Sequence, residues 1–396
     1  MTRRRIAVLT GSRAEFGLLS RVISGLLEAS DVECQVIVTG AHLSQTHGAT
    51  VSEIEAAGVP IAWRVPIELS DDSSTATIKA MGQGMIGFAD AYAALNPDLI
   101  VVLGDRYEIL AAASAATIAC IPLAHLHGGE ISAGAVDDAI RHAITKLSHL
   151  HFVAAAAYRD RVVQMGETPE RVHVVGGLGV DLALQTPLMD RAAFEADTGF
   201  RFGPRNLVVT FHPVTLDAAQ GDAELDELLG ALGTLPDTHL AFTLPNADVG
   251  NSSIRRRIEA FVADRQTAWA FSSLGFRRYL SAVALSDGVV GNSSSGLIEG
   301  PALGIGTVNV GRRQAGRLRA TSVIDCAPLQ ADILAALERL LSEPFRAGLQ
   351  QIGNPYGDGG AAQRVVHLLR TVSLDGLTSK GFFDVPLGAL SLSNHD

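Results

Sequence analysis

Basic runs, cysteines and aromatic residues are all scarce in this sequence. Aromatic residues make up 5% of the 396 residues and charged residues 18%, whereas hydrophobic residues reach 47%. This balance excludes an intrinsically disordered chain, which combines low hydrophobicity with high net charge. The formal net charge is −11, and an acidic protein without a long basic run is a poor partner for nucleic acid or an anionic membrane surface. We therefore expect neither as a partner.

The few cysteines and the short apolar runs bear on the compartment of the protein. The cysteines are far apart and lack the spacing of a metal site: they are Cys34, Cys120 and Cys326. Their apolar neighbours predict reduced, buried thiols and hence a cytoplasmic protein. The longest apolar stretch, residues 110–124, is alanine-rich and contains Pro122, which predicts a buried helix leading into a strand, not a membrane span. The run at residues 6–9 is too short for a signal peptide.

Short runs of valine, isoleucine and leucine recur along the chain and end at glycine or at a polar turn. They lie at residues 6–9, 36–38, 99–103, 122–126 and 173–175, and then at 207–210, 240–243, 288–290 and 307–310. Helix-compatible segments separate most of them. This alternation predicts parallel strands covered by helices on both faces. Because 396 residues exceed what one core usually supports, we expect two doubly wound α/β domains.

The boundary between these domains is predicted near residue 190. A polar, glycine-bearing segment, residues 194–204, precedes the second series of strands. The prediction is a first domain of residues 1–190, a second of residues 191–375 and a tail of residues 376–396. Near the end, a Pro/Gly turn leads into an amphipathic helix at about residues 358–372, which could return to the first domain.

The segment DGVVGNSSSGLIEG, residues 287–300, has the pattern of a strand that stops at a turn which opens a helix. Ser293 and Ser294 fall at the helix start, where unpaired backbone N–H groups and hydroxyls form an anion site, most naturally for phosphate. Glu299, about one turn further on, would accept hydrogen bonds from a ribose diol. Together these features suggest a nucleotide. The alternative is that the serines only cap the helix.

Polar side chains follow several predicted strands, at the edge where α/β proteins bind ligands. Arg13 follows the first strand in TGSRAEFG, and His42 follows the second in VTGAHLS; a surface arginine would explain Arg13 equally well. Asp105 and Arg106 follow a strand directly in LIVVLGDRYE. They are either functional groups or an ion pair that closes the turn. In the second half, His212 follows a strand in VTFHPVT.

Histidines and acids are concentrated in residues 125–152, HLHGGEISAGAVDDAIRHAITKLSHLHF. A metal site is the first possibility, but no third ligand has a diagnostic offset and HExxH is absent, so we expect no metal. Acid–base catalysis suits His125, His127, Glu130 and Asp137 better, since imidazoles and carboxylates facing one pocket exchange protons near neutral pH. Asp137 or its neighbour Asp138 could instead cap the next helix.

An arginine cluster follows the strand at residues 307–310. In the segment GRRQAGRLR it comprises Arg312, Arg313, Arg317 and Arg319. Near the serine-rich helix start, this much positive charge would suit two phosphates. The alternative is an exposed basic loop.

With these residues assembled, the chain resembles the hydrolysing UDP-N-acetylglucosamine 2-epimerases, including relatives that act on UDP-N,N′-diacetylbacillosamine in legionaminic acid synthesis. The resemblance covers most of the chain and rests on motifs in family order: TGSRAEFG, VTGAHLS, LGDRYE, HLHGGE, VDDAIRHAITKLSH, GGLGVD, FHPVT, GNSSSGLIE, NVGRRQAGR and NPYGDGG. It implies two Rossmann-like domains facing each other across a cleft, of the GT-B type, with UDP held mainly by the second.

The resemblance also implies roles for single residues. It assigns Ser293 and Ser294 to phosphate, Glu299 to ribose, and Arg13, Arg106 and Arg313 to the diphosphate region. Catalytic or sugar-contacting roles fall on His42, Asp105, Asp137 and His212, and we add His125 as a substrate-binding residue. Many family members carry a glutamate at the position of His127, so His127 and Glu130 are both candidates for that glutamate's work.

The implied reaction eliminates UDP from a UDP-2-acetamido sugar and hydrates the resulting 2-acetamidoglucal to a free manno-configured sugar. No carbonyl acidifies the proton on carbon 2, so the departing diphosphate must build positive charge at carbon 1, and arginines and helix-start amides would stabilise it. We expect Asp105, Asp137 and one of His127 or Glu130 to share the proton transfers. Neither NAD nor a metal is required.

Other functions fit parts of the same pattern. They are a non-hydrolysing 2-epimerase, a retaining glycosyltransferase of the same fold and a regulatory protein that only binds UDP-sugars. The donor is either UDP-N-acetylglucosamine or its 4-acetamido-6-deoxy relative; His127 and the SLG segment at residues 273–275 resemble the bacillosamine branch. Relatives are commonly dimers or tetramers, so we expect a homo-oligomer.

Overall fold

The structure is a computed structural model that describes residues 3–44, 49–68, 73–132, 136–212, 218–244 and 251–386. Its strands, in chain order, are β1 (Arg4–Thr10), β2 (Val32–Thr39), β3 (Ile61–Val65), β4 (Leu99–Leu103), β5 (Leu123–Leu126), β6 (Leu150–Val153), β7 (Val172–Val174), β8 (Arg205–Thr210), β9 (Thr238–Thr243), β10 (Ala268–Phe271), β11 (Gly288–Gly291), β12 (Thr307–Val310) and β13 (Val323–Cys326).

Helices alternate with most of these strands. They are α1 (Arg13–Glu28), α2 (Val51–Ala56), α3 (Ser74–Leu95), α4 (Tyr107–Ile118), α5 (Val136–Leu147), α6 (Ala156–Gln164), α7 (Leu178–Gln185), α8 (Arg191–Thr198), α9 (Ala218–Gly233), α10 (Asn251–Ala263), α11 (Gly275–Leu285), α12 (Ser295–Ala302), α13 (Gln330–Leu341), α14 (Glu343–Gly348) and α15 (Ala361–Thr371).

The first sheet has seven parallel strands in the order β3-β2-β1-β4-β5-β6-β7. Its centre is apolar on both faces. Ile6 and Val8 of β1 join one buried cluster with α1, whereas the alternate residues Ala7 and Leu9 join another with α3 and α4. Burial on both faces explains why the central strands are continuous apolar runs.

The second sheet has six parallel strands in the order β10-β9-β8-β11-β12-β13. Leu207 and Val209 of β8 pack with α9, α10 and α13, and Val208 packs on the opposite face with Phe194 and Phe200. In both sheets the strand order reverses beside the first strand, as in Rossmann-type sheets, and ligands bind at the carboxyl ends near that reversal. The two predicted parallel α/β domains are thereby confirmed.

The chain divides into two compact units. The first comprises Met1–Glu130, Asp137–Leu178 and Gly360–Asp396, and the second Ile131–Val136 and Gly179–Gly359. The sequence predicts the boundary near residue 190, whereas the chain passes from the first unit to the second between Leu178 and Gly179. Helix α15 packs on α1 in the first unit, and Arg4 donates to the Leu369 and Val372 carbonyls at 2.6 and 2.9 Å. The expected tail is described to residue 386, and its last ten residues lie outside the described part.

The sequence pattern does not predict four of the strands. Three of them are edge strands, β3, β10 and β13, whose side chains are only partly buried, so their sequences are not continuous apolar runs. The prediction of three buried thiols is wrong for Cys120, which is exposed, while Cys34 and Cys326 are half-buried. None of the helices in the described residues is long and apolar enough to cross a membrane.

Candidate active site

Most predicted site residues of the first unit lie at the carboxyl edge of its sheet. The strands are parallel, so the loops after β1, β2, β4 and β5 emerge at one edge. The carboxyl end of β5, these loops and the first turns of α1 and α5 carry the predicted residues: Arg13, His42, Asp105, Arg106, His125, His127, Glu130 and Asp137. The second unit carries His212 after β8, Ser293, Ser294 and Glu299 after β11, and Arg313 after β12.

His42 is buried and held by two hydroxyls. Its Nε2 lies 3.0 Å from the Thr10 Oγ1 and its Nδ1 lies 2.8 Å from the Thr50 Oγ1. Burial lowers the pKa of His42 to about 4, so the ring is neutral at neutral pH. A ligand role for His42 therefore depends on a neutral imidazole.

His125 is fully buried in strand β5. Its Nε2 lies 2.8 Å from the Gly104 carbonyl and its Nδ1 lies 3.2 Å from the Thr145 Oγ1. Burial lowers the pKa of His125 to about 3. Both ring nitrogens are engaged within the protein, so contact with a substrate requires one of these bonds to break.

Asp105 and Asp137 form an acidic pair beside two arginines. Asp105 is bonded to the Arg141 guanidinium, which projects from α5 and is almost fully buried. Asp137 lies in the first turn of the same helix. Burial raises the pKa of Asp137, the charge of Asp105 raises it further, and Arg106 and Arg141 act in the opposite direction. A carboxylate with a raised pKa is a stronger base, which suits proton abstraction.

His127 and Glu130 interact directly. The His127 Nδ1 lies 2.8 Å from the Glu130 Oε1, and both side chains are largely buried. His127 has a φ of +64° and its backbone N–H donates to the Phe152 carbonyl at 3.0 Å. Within the described chain its buried Nε2 has no hydrogen-bond partner. His127 and Glu130, the two candidates for the role of the family glutamate, thus form one imidazole–carboxylate pair.

Arg106 is held by residues that the sequence analysis did not single out. Its Nε donates to the Glu108 Oε1 at 2.6 Å, and Glu15 lies beside the same pair. Both glutamates stand in motifs already noted, TGSRAEFG and LGDRYE; the SRAE segment is also a capping-box pattern that marks Glu15 as a helix-start residue. Arg13 is half-exposed, with its guanidinium 3.7 Å from Glu53.

The turn after β11 opens α12 as the sequence predicts. Gly291 has a φ of +131°, and a Cβ there would lie 1.9 Å from the Thr210 carbonyl oxygen, so only glycine fits. Ser294 occupies the N-cap position, but its side chain makes no capping hydrogen bond to the described residues. Ser293 Oγ accepts a bond of 3.4 Å from the Ser295 N–H. Glu299 lies on the next turn, packed against Gly179.

Asn292 links the residues around this turn and is another residue that sequence reasoning missed. Its side chain bonds the backbone of His212, and its carbonyl accepts bonds of 3.0 Å from the Arg313 Nη1 and 2.8 Å from the Gln314 Nε2. Burial lowers the pKa of His212 to about 3, with a further contribution from Arg313. The rest of the FHPVT motif, residues 213–215, lies outside the described residues.

Metal ligation has no support in the described residues, where no group of three or more histidine, cysteine, aspartate or glutamate side chains could hold an ion. The imidazoles of His125 and His127 are committed to separate partners, the Gly104 carbonyl and the Glu130 carboxylate. In the first unit, the acids and neutral imidazoles favour acid–base chemistry. In the second unit, the arginine, the hydroxyls and the helix start favour an anion.

Comparisons with known proteins agree with this chemistry. A family model described as UDP-N-acetylglucosamine 2-epimerase matches residues 25–370. The GDP/UDP-N,N′-diacetylbacillosamine 2-epimerase (hydrolyzing) of Campylobacter jejuni is 36% identical over 387 residues, which cover 97% of this chain and 100% of the relative. The UDP-N,N′-diacetylbacillosamine 2-epimerase (hydrolyzing) of Legionella pneumophila is 36% identical over 372 residues, covering 94% of this chain and 97% of that protein.

A solved structure shares the fold. The crystal structure of UDP-GlcNAc 2-epimerase from Neisseria meningitidis bound to UDP-GlcNAc matches with a TM-score of 0.80 at 16% identity, covering 92% of this chain and 99% of the other. From the family model and the two relatives, the chain belongs to the UDP-N-acetylglucosamine 2-epimerase family.

Proposed function

We propose that this protein is a hydrolysing 2-epimerase of a UDP-2-acetamido sugar. The observation that carries the proposal is the acidic pair Asp105 and Asp137, set beside Arg106 and Arg141 at the carboxyl edge of the first sheet. Carboxylates that abstract a proton and cations that stabilise a departing diphosphate are the two requirements of the reaction.

The reaction divides into an elimination and a hydration. A base removes the proton from carbon 2, the bond between carbon 1 and the diphosphate oxygen breaks with its electron pair leaving on UDP, and a 2-acetamidoglucal forms. Water then adds its hydroxyl to carbon 1, while carbon 2 receives a proton on the opposite face. We propose that Asp105, Asp137 and the His127–Glu130 pair share these proton transfers.

We propose that the two units bind different parts of the substrate. The second unit supplies the main UDP site, with Ser293 and Ser294 at phosphate, Glu299 at ribose and Arg313 at the diphosphate. The first unit supplies the acids, the histidines His42 and His125 near the sugar, and the further cations Arg13 and Arg106. His212 is assigned to the sugar end of the substrate. The helix start of α12 supports the phosphate assignment, because the positive end of a helix dipole favours anions.

For the donor we propose UDP-N,N′-diacetylbacillosamine, with 2,4-diacetamido-2,4,6-trideoxymannose as the free product for nonulosonic acid synthesis. Two relatives at 36% identity carry this sugar in their names, whereas a UDP-N-acetylglucosamine 2-epimerase of Neisseria meningitidis is 30% identical. For UDP-N-acetylglucosamine the product would be N-acetylmannosamine. We further propose that the protein is cytoplasmic and forms a homo-oligomer, either a dimer or a tetramer. Light scattering would test the oligomeric state.

The decisive experiment incubates the purified protein with each candidate donor and no acceptor. The donors are UDP-N,N′-diacetylbacillosamine, its GDP counterpart and UDP-N-acetylglucosamine, and both the free sugar and the nucleotide are identified by NMR. We expect UDP and a free manno-configured sugar, with deuterium from D₂O at carbon 2. A UDP-sugar product would indicate a non-hydrolysing epimerase. Turnover that appears only with an acceptor would indicate a glycosyltransferase.

A further inference from the structure

Two buried glutamates, one of them bonded to an arginine, lie close together beneath the carboxyl edge of the first sheet. The Arg106 Nε donates to the Glu108 Oε1 at 2.6 Å, and Glu108 is only 1% exposed. Glu15, 5% exposed, accepts a bond of 2.7 Å from the Gly11 N–H through Oε2. In the part of the chain that the structure describes, the other oxygens, Glu15 Oε1 and Glu108 Oε2, have no hydrogen-bond partner.

The local fold leaves space for this arrangement. Glu15 lies in the first turn of α1 and Glu108 in the first turn of α4, and these helices follow the neighbouring strands β1 and β4. A Cβ on Gly11 would lie 2.9 Å from the Glu108 Cγ and Oε1. The missing side chain at Gly11 therefore lets Glu108 reach under the loop that precedes α1.

The charges of the group do not balance if both glutamates are ionised. Burial and the charges of Glu108 and Asp105 raise the pKa of Glu15, whereas Arg106 and the Gly11 N–H lower it, and the net result is a pKa of about 8. Glu15 is therefore protonated at neutral pH. Arg106 stays charged, because the charge of Glu108 raises its pKa. With the proton on Glu15 the three side chains have no net charge, and without it they carry one negative charge.

We propose that Glu15 and Glu108 are positioning residues for Arg106, and that one proton on Glu15 controls how strongly Arg106 attracts the diphosphate. This inference rests on the proposed function, in which Arg106 contacts the diphosphate. Glu108 fixes the guanidinium through Nε. In the described residues the two terminal NH₂ groups of Arg106 donate to no other group, so they are available to an anion. Loss of the proton adds a buried negative charge that repels the diphosphate and draws the guanidinium inward.

The test measures UDP affinity by calorimetry between about pH 7 and about pH 9. If UDP binds only the protonated form of a group with a pKa of about 8, its affinity falls about tenfold across this range. UDP itself contributes little, because a terminal phosphate with a pKa of about 6 is already ionised. The histidines His42, His125 and His212 titrate far below this range.

The variant Glu15→Gln carries a permanent neutral amide in place of the protonated acid. We expect this variant to bind UDP at about pH 9 as tightly as at about pH 7. The control is Glu28→Gln, which changes an exposed glutamate of the same helix and should keep the roughly tenfold loss of affinity. Glu108→Gln should raise KM more than it lowers kcat, because Arg106 loses its orienting carboxylate. An unchanged pH dependence in Glu15→Gln would overturn the proposal.

Three further outcomes test this inference, and two of them separate it from the proposed function. If Glu15→Gln fails to fold, the pH profile of the wild-type protein decides. A UDP affinity that does not change between about pH 7 and about pH 9 then overturns the inference. If the wild-type protein shows the pH-dependent UDP affinity but releases no UDP from any donor, the proposed function fails and the inference stands. Turnover together with a flat affinity profile would support the proposed function and overturn the inference.

Discussion

The side chain of Asn292 holds both backbone polar groups of His212. The Asn292 Oδ1 accepts from the His212 N–H at 2.8 Å, and the Asn292 Nδ2 donates to the His212 carbonyl at 2.8 Å. Asn292 is 1% exposed, so this pair of hydrogen bonds is sheltered from water. It ties the end of β8 to the turn before α12, and thereby sets His212 against the proposed phosphate site.

Asn292→Ala is expected to lower both stability and substrate affinity. Loss of two buried hydrogen bonds costs about 1–3 kcal/mol, and displacement of His212 should reduce kcat/KM at least tenfold. Asn206→Ala is a matched control, because Asn206 makes the same pair of bonds to the Gly203 backbone, at 2.8 and 3.1 Å, at the opposite end of β8. It should lose similar stability in thermal melts and keep UDP affinity. Equal losses of affinity in both variants would contradict the prediction.

Arg313→Ala is expected to weaken UDP binding. Arg313 is held near the turn by its bond to the Asn292 carbonyl, and one charge-assisted hydrogen bond to a phosphate is worth about 1.5–3 kcal/mol, or roughly 10- to 150-fold in affinity. Arg312→Ala removes an exposed arginine from the same loop and should have little effect. Calorimetric titration with UDP compares the two. If Arg313→Ala left UDP affinity unchanged, the phosphate assignment would be wrong.

Asp105→Asn and Asp137→Asn are expected to reduce kcat about 100-fold or more, because each removes a proton-transfer group. UDP affinity should remain near normal. Asp137 has a raised pKa, and a base must be ionised, so wild-type kcat should fall as the pH drops through that raised value. Asp138→Asn is the control, since Asp138 faces His142 at 3.6 Å. Near-normal turnover in Asp105→Asn with intact UDP binding would remove Asp105 from the mechanism.

His127→Asn tests which member of the imidazole–carboxylate pair acts on the substrate. Asparagine tolerates the positive φ of this position but has no group that titrates near neutral pH. If the His127 Nε2 transfers the proton and Glu130 only orients the ring, His127→Asn should lose about 100- to 1,000-fold in kcat, and Glu130→Gln about tenfold. The reverse order, measured by UDP release, would assign the proton transfer to Glu130.

The sequence predicts those parts of the fold that depend on local pattern. The strand runs at residues 99–103 and 307–310 coincide with β4 and β12, because strands buried on both faces are mainly apolar. Edge strands such as β3 lack this signal, since solvent on one side permits charged residues such as Arg64.

The supporting residues of the site depend on contacts that are distant in sequence. Glu15 and Glu108 meet only because β1 pairs with β4, with Ile6 opposite Leu99. Asn292 contacts His212 for the same reason, since β8 pairs with β11. The motifs contain these residues, but no local pattern shows that one side chain supports another. The residues that follow a strand directly were therefore predictable, and their partners were not.

A buried charge cluster should control the acid stability of the first unit. Glu167, 2% exposed, accepts bonds of 2.5 Å from the Lys146 Nζ, 2.9 Å from the His151 Nε2 and 2.9 Å from the Lys380 Nζ. Lys380 also donates to the Lys146 and Ser148 carbonyls at 2.5 and 2.6 Å. The C-terminal segment is thus fixed to the end of α5, the helix that carries Asp137 and Arg141.

The pKa shifts give the direction of the pH effect. Burial opposes the ionisation of Glu167, but hydrogen bonds from His151 and Lys146 outweigh it and lower the pKa to about 2. A depressed carboxyl pKa contributes stability that is present above the unfolded value of about 4.3 and is lost as the pH falls towards about 2. Burial also lowers the pKa of His151, so protonating this ring costs more in the folded than in the unfolded chain, and stability falls further on acidification.

Glu167→Gln should therefore destabilise the protein by about 1–3 kcal/mol at neutral pH, because it removes the carboxylate that accepts hydrogen bonds from the half-buried Lys146 and Lys380 and from the buried His151. Its stability should also depend less on pH between about pH 5 and pH 2 than that of the wild type. Glu170→Gln, an exposed glutamate three residues further on, should match the wild type. Urea unfolding at several pH values measures both effects. If Glu167→Gln lost stability on acidification as steeply as the wild type, another carboxylate would be responsible.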